Sequence, residues 1–280
     1  MGVKYTHQVI KVYDLLYMNQ TILSAKQSEL LEALIVKYGA IVTSNQIIEA
    51  AKGNWDYKQA KNLITKLVKD GWLIRVKRGI YAISELSGRG FLSLSPYVVA
   101  SLLVKDSYVS FESALQYHNM FDQLMNKTIS VGKKMYKTVK LNNMEYGFVK
   151  TKEKLFFGFE EVIIENKTTQ IATAEKALVD IINFRKSKLA IDVVIEKIIN
   201  HKQDLDFDRF SECLTKFSST TIKIFGLIFD LLNIDSAKLY NLVKNNRGTH
   251  WMLAGDKKFN AKWRIYYDDY FDQYLDSGKI

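Results

Sequence analysis

One cysteine and one proline in 280 residues are the first facts to use. A lone thiol, Cys213, excludes an intramolecular disulfide framework and fits a reducing compartment. So little proline, with 48% apolar residues, excludes a proline-rich disordered chain and leaves helices free to run. Long apolar runs are missing too. The cluster Ile224-Phe225-Gly226-Leu227-Ile228-Phe229 is among the longest, far short of the roughly 20 residues that span a bilayer. Lys4 and Lys11 stand near the N-terminus, but no continuous apolar core or small-residue cleavage site accompanies them, so no export signal is visible. The four histidines (His7, His118, His201, His250) lack paired ligand spacing, which with one cysteine argues against zinc. Glycine loops of the phosphate-cradling kind are also missing. These absences predict a cytoplasmic protein with no cofactor, no metal and no catalytic set.

What is present is positive charge, unevenly placed. The net charge is +10, and residues 1–90 hold 13 Lys and Arg against 7 Asp and Glu. Residues 127–154 hold 8 against 2, so the rest of the chain is slightly acidic. Two basic regions separated in sequence fit a polyanion that touches both. Phospholipid is the competing polyanion, but no basic amphipathic helix with a bulky aromatic face stands out.

The first basic region has the pattern of a winged helix-turn-helix. Leu30 to Tyr38 reads as a helix ended by Gly39; Thr43 caps a second from Ser44 to about Ala51; Gly53-Asn54 is the turn. Asp56 caps a third helix, running to Asp70 and stopping at Gly71. Its inner stripe is Ala60, Leu63, Ile64, Leu67 and Val68. Lys58, Gln59, Lys61, Asn62, Thr65, Lys66 and Lys69 are left for solvent, with no acid among them. The neutral members can donate to and accept from base edges. A hairpin follows, Trp72 to Val76 and Ile80 to Ile83, with Lys77-Arg78-Gly79 as its tip; Arg75, Lys77 and Arg78 would set this wing on the phosphate backbone or in the minor groove. Lysine-rich faces are also ordinary solvated faces, and such units can be protein-docking modules. Order, spacing, caps and a basic wing together favour DNA.

The expected domains are residues 1–90, a winged helix with an extra amphipathic helix over residues 3–23, and residues 91–280, a larger mixed α/β domain; the fold class is α+β. Ser24 to Ser28 reads as a break, and Ser84 to Ser95, with Ser87-Gly88-Arg89-Gly90, as the linker. Pro96 opens a short helix, Tyr108-Val109 is a strand, and Ser110 caps a helix from Phe111, with Ser113 packing inside. Alternation then predicts strands at Thr128–Val131, Tyr146–Val149, Leu155–Phe159 and Glu161–Ile164. Thr173 caps a strong helix in which Lys176 can pair with Asp180, and Glu175 meets the positive helix end. Several helices fill residues 190–245. The tail beyond Lys257 alternates like a strand or hairpin, and Asp268–Asp272 reads as a surface helix.

The segments Arg75-Val76-Lys77-Arg78-Gly79-Ile80-Tyr81, Tyr108-Val109-Ser110-Phe111-Glu112-Ser113-Ala114-Leu115 and Ala174-Glu175-Lys176-Ala177-Leu178-Val179-Asp180 resemble, in that order, the AbiEi family. These are antitoxins of type IV toxin–antitoxin, abortive-infection systems. Members carry a winged helix ending in an Arg-Gly-x-Tyr wing, a strand-to-helix step with a Ser-Ala-Leu core, and a helix opening on Glu-Lys-Ala. The resemblance implies a transcriptional autorepressor whose C-terminal domain supplies antitoxin activity against a nucleotidyltransferase-like toxin encoded beside it. DNA would be the direct partner, the protein's own promoter; inverted-repeat operators would mean two copies on DNA. Direct contact with the toxin is left open.

Other readings compete. Glu165-Asn166-Lys167, with Glu145, Glu160 or Glu161 upstream, has the residue types of a metal-dependent nuclease. A ligand-responsive regulator is the third class. The run Lys127, Lys133, Lys134, Lys137 and Lys140 is either edge protection for a sheet or a second nucleic-acid contact, the latter favoured at Lys133, Lys134, Lys137 and Lys140.

Overall fold

Residues 23–85, 90 and 92–279 are described by a computed structural model of the chain, which divides between Leu94 and Ser95 into two compact units. The helix expected over residues 3–23 lies outside the described residues, save Leu23, which packs partly buried on the first core. Ser87-Gly88-Arg89 of the expected linker also lies outside them.

In the first unit, helices α1 (Ala25–Tyr38), α2 (Ser44–Ala51) and α3 (Tyr57–Lys69) surround a core that includes Leu30, Leu34, Ile47, Leu63 and Leu67. Each begins with a reciprocal cap: Ser24 with Gln27, Thr43 with Gln46, and Asp56 with Gln59. In each, the cap side chain accepts a bond from the fourth residue's amide and that residue's side chain accepts from the cap amide, so two helix-end donors are satisfied at once. The first box corrects one expectation. Ser24 to Ser28 is not a break; the capping pair starts the helix at Ala25, ahead of any apolar periodicity. Gly39 (φ 78°) and Gly71 (φ 78°) end α1 and follow α3 in the left-handed region, where a residue without Cβ is least strained.

The unit's sheet has three strands, β1 (Ile41–Thr43), β2 (Leu73–Lys77) and β3 (Ile80–Ile83), in the order β1-β3-β2, all antiparallel. Sequence reading missed β1. Three residues carry no period of their own, and the strand exists because it pairs with β3, Val42 opposite Tyr81.

The second unit is built on a six-stranded mixed sheet. Its strands are β4 (Ser107–Val109), β5 (Lys127–Gly132), β6 (Val139–Leu141), β7 (Met144–Lys150), β8 (Phe159–Ile164) and β9 (Lys167–Ala172), in the order β6-β7-β5-β4-β9-β8. The pairs β5–β7 and β4–β9 are parallel, the others antiparallel. Helices α4 (Pro96–Leu103), α5 (Phe111–Tyr117) and α6 (Ala174–Phe184) accompany it, followed by α7 (Lys188–Asn200), α8 (Phe207–Leu214), α9 (Ser219–Leu231) and α10 (Ala237–Val243). A small sheet closes the chain: β10 (His250–Trp251), β11 (Lys258–Asn260) and β12 (Ile265–Tyr267), ordered β10-β12-β11. The strand or hairpin expected in the tail is β11–β12. The acidic segment after it is a 3-10 helix, Asp269–Lys279, anchored by fully buried Phe271.

Leu155 to Phe159 is not one strand. Glu153–Leu155 forms a single 3-10 turn, and β8 begins only at Phe159. The aromatic residues that suggested a strand serve packing instead: Phe156 and Phe159 both meet the Tyr108 ring, at 5.3 and 4.9 Å between centroids.

A buried polar cluster joins β4 to α6. The Lys176 ammonium donates to Tyr108 Oη at 2.6 Å and pairs with Asp180, while Asp180 Oδ2 accepts from Tyr108 at 3.0 Å and Ser110 at 2.7 Å. Lys176 and Asp180 are each 1% exposed. The pairing was expected from the i, i+4 spacing, but not the burial. Ser110 is corrected here: it precedes α5 without a side-chain cap, because its hydroxyl is committed to Asp180. Ser113 Oγ accepts from the Ile129 amide at 3.1 Å, tying α5 to β5. Burial, foremost, pushes the Asp180 carboxyl up, against the pull of the Lys176 charge. Burial also raises the Cys213 thiol to about 12, so the lone cysteine is a packing group.

Candidate nucleic-acid interface

α3 shows how composition becomes a surface. Ala60, Leu63, Ile64 and Leu67 are buried at helical spacing, so everything between them is turned outward. Lys58, Gln59, Lys61, Asn62, Thr65, Lys66 and Lys69 are all exposed. No carboxylate forms an ion pair with any of these lysines among the described residues, whereas Lys52 at the end of α2 pairs with Glu49 at 2.5 Å. The face is therefore free to meet an external anion.

The three neutral side chains are not equivalent. Gln59 Oε1 accepts from the Asp56 amide at 2.9 Å, and Thr65 Oγ1 donates back to the Lys61 carbonyl at 3.2 Å. Both are partly occupied by the helix itself. Asn62 has no such bond among the described residues, which leaves its amide, donor and acceptor together, the best placed to read a base edge. Tyr57, not singled out from the sequence, is 62% exposed at the first turn of α3, with the Lys61 ammonium 4.3 Å from its ring centroid. An exposed tyrosine directly after an N-cap was the available signal.

The wing is tighter than the sequence suggested. β2 runs through Lys77, which faces Ile80, so the turn is Arg78-Gly79 alone, with Gly79 at φ 80°. A register shift between Arg75 and Lys77 bulges the strand. Arg75 and Arg78 are exposed and Lys77 is half-buried. The Gly79 carbonyl accepts from the Ser44 amide at 3.0 Å, fastening the wing tip to the start of α2.

Residues 29–84 match the family model of a transcriptional regulator, the AbiEi antitoxin. The match covers the winged helix and stops before the Ser-Ala-Leu and Glu-Lys-Ala segments. Over most of its length the chain is similar in fold to the crystal structure of the RV2827C protein from Mycobacterium tuberculosis, with a TM-score of 0.64 over 91% of this chain and 94% of that one. Identity there is 12%, so the likeness is one of architecture. No curated protein matches the sequence. Among the described residues, no helix is long and apolar enough to cross a membrane.

The other candidate sites are placed as follows. Glu165 and Asn166 (φ 51° and 58°) form the two-residue turn of the β8–β9 hairpin, and Glu165 Oε1 accepts from the Ser95 amide at 2.8 Å. No three His, Cys, Asp or Glu side chains gather as a metal site among the described residues. Of the second basic group, Lys140 lies on the edge strand β6, 3.9 Å from Glu145, and Lys133 pairs with Glu153 at 2.5 Å. Lys134 and Lys137, in the connection to β6, are exposed.

Proposed function

We infer that the protein is the antitoxin of a type IV toxin–antitoxin system and represses its own promoter through the AbiEi winged helix. The acid-free face of α3 beside a basic wing is the observation that carries this reading. α3 enters the major groove, with Asn62 reading bases and Lys58, Lys61, Lys66 and Lys69 meeting phosphates, as recognition helices do. Arg75, Lys77 and Arg78 set the wing on the backbone or in the minor groove. Two copies bind an inverted repeat, and Lys134 and Lys137 supply a second phosphate contact. The second unit counteracts a nucleotidyltransferase-like toxin encoded next to the antitoxin. The protein works in the cytoplasm, without a cofactor and without catalysing a reaction of its own.

Binding of the purified full chain to its own upstream region, against a random duplex at two salt concentrations, tests this reading. Selective binding that weakens steeply with salt is expected, since each neutralised phosphate releases counterions. Equal affinity for both duplexes would reduce the winged helix to a docking module.

A further inference from the structure

A cleft of about 310 Å³ opens in the second unit beside the C-terminal end of β7. Lys150, Thr151, Lys152 and Lys154 approach it from one segment, and Lys216 and Ser218 from the turn between α8 and α9. Four lysines line this space, and no acidic residue does. Nearby lysines behave differently: Lys127 pairs with Glu145 at 2.7 Å and Lys133 with Glu153 at 2.5 Å. None of the four forms an ion pair with a carboxylate among the described residues. Lys216 instead lies 4.1 Å from the centroid of the Phe157 ring. Unrelieved like charges around one concavity raise the local potential and favour an incoming anion.

Two further observations point to a ligand. Thr151 is 6% exposed, and its hydroxyl is buried without a hydrogen-bond partner among the described residues. A buried hydroxyl left unpaired is costly, and this one belongs to a residue on the cleft wall. The thirteen-residue helix α9 also starts there, with Ser218 as its N-cap, so the positive end of its dipole is at the cleft.

We propose that this cleft binds the phosphate chain of a small polyphosphate ligand. Lysines act as movable point charges toward phosphate oxygens, the Thr151 hydroxyl donates to one oxygen, and the start of α9 meets another. Phe184 and Phe217 give one apolar wall against which a group attached to the chain could rest. A concave site assembled from separated segments suits a small ligand, whereas a duplex would need a row of contacts along its backbone. The site is independent of the DNA-binding reading, since none of the residues lining it is among those assigned to DNA.

Calorimetric titration of the full chain with inorganic triphosphate, ATP and adenosine, at fixed ionic strength, tests it. Saturable binding of triphosphate, one per chain, is expected. Lys152→Ala combined with Lys216→Ala should weaken it about a hundredfold, roughly tenfold per lost charge-assisted bond. Thr151→Val should weaken it several-fold, and Lys202→Ala with Lys244→Ala, two exposed lysines away from the cleft lining, should leave it unchanged. All four lysines are exposed, so unchanged circular dichroism and thermal midpoint would verify that the variants fold. Tighter binding of ATP than of triphosphate would identify a nucleotide; equal affinity would make the phosphate chain the whole determinant. The proposal is overturned if triphosphate does not saturate, if the cleft double variant binds as well as the parent, or if a DNA duplex needs the same lysines while triphosphate fails to compete.

Discussion

Charged residues are used in opposite ways by the two units. In the first, none of the described charged side chains is buried; its lysines cover α3 and face outward. In the second, Glu175, Lys176, Asp180 and Lys223 are all at most 1% exposed and each is held by a polar partner inside the protein, although Glu175 Oε2 has none among the described residues. Glu175 Oε1 accepts from Arg209 and from the Asp206 amide, both at 3.0 Å, and Lys223 donates to the Gly248 carbonyl at 2.6 Å. Exposed lysines contribute little to stability and are available to a partner, whereas buried ones hold elements together and are available to nothing else. The same residue type is thus left on the surface in one unit and built into the architecture of the other.

The sharpest way to break this contrast is to cut the buried pair. Lys176→Ala or Asp180→Ala strands a charge among Tyr108, Ser110 and the helix, and should cost about 3–5 kcal/mol in denaturant unfolding of the full chain. Lys61→Ala or Lys66→Ala on α3 should stay within about 0.5 kcal/mol. Equal losses for the two groups would erase the distinction. Replacing Lys176 and Asp180 together by Met and Leu should recover much of the loss.

A steric prediction comes next. A Cβ at Gly226 in α9 would fall 2.2 Å from the Trp263 ring, whose Nε1 is held by Asp230 Oδ2 at 2.6 Å. Gly226→Ala should therefore destabilise the second unit by about 1–3 kcal/mol or more, read as a lower thermal midpoint. Pairing it with Trp263→Ala should yield less than the sum of the two single losses.

On the recognition side the expected change is in binding and not in stability. Asn62→Ala should lose about 1–3 kcal/mol of preference for the specific duplex over a random one. Lys77→Ala should weaken both duplexes alike and reduce the salt slope by about 1. Equal loss on both duplexes for Asn62→Ala would count against base reading.

The smallest effect is a pH dependence. Burial, then the Lys223 charge, hold the His250 imidazole below its ordinary value of 6.5, and its Nδ1 lies 2.8 Å from Thr220 Oγ1. The unfolded chain therefore takes up this proton at higher pH than the folded one, and stability should fall as pH drops below about 6.5. His250→Gln should flatten that part of the stability profile. An unchanged profile would show that another group titrates there.

The legibility of the chain followed the range of the interactions. Helix caps at Thr43, Asp56 and Thr173 could be read because a cap is a contact over three residues. The α3 face could be read because helical period fixes which residues share a side. β1 could not, since its partner β3 lies some forty residues on. Ser110 looked like a cap because its position was right; its hydroxyl was taken by Asp180, seventy residues away. The stretch from Leu155 to Phe159 looked like a strand because aromatic residues favour strands, but packing around Tyr108 uses them in an irregular segment.

By itself, then, the sequence determined the winged helix, the exposure of its lysines and the spacing of Lys176 from Asp180, because caps, helical period and i, i+4 geometry are local. Only the tertiary structure decided that Lys176 and Asp180 are sealed from water, that Gln59 and Thr65 are partly occupied while Asn62 is not, and that Lys150, Lys152, Lys154 and Lys216 share one cleft. Burial and convergence depend on which distant segments come to lie beside a residue, and no local pattern encodes that.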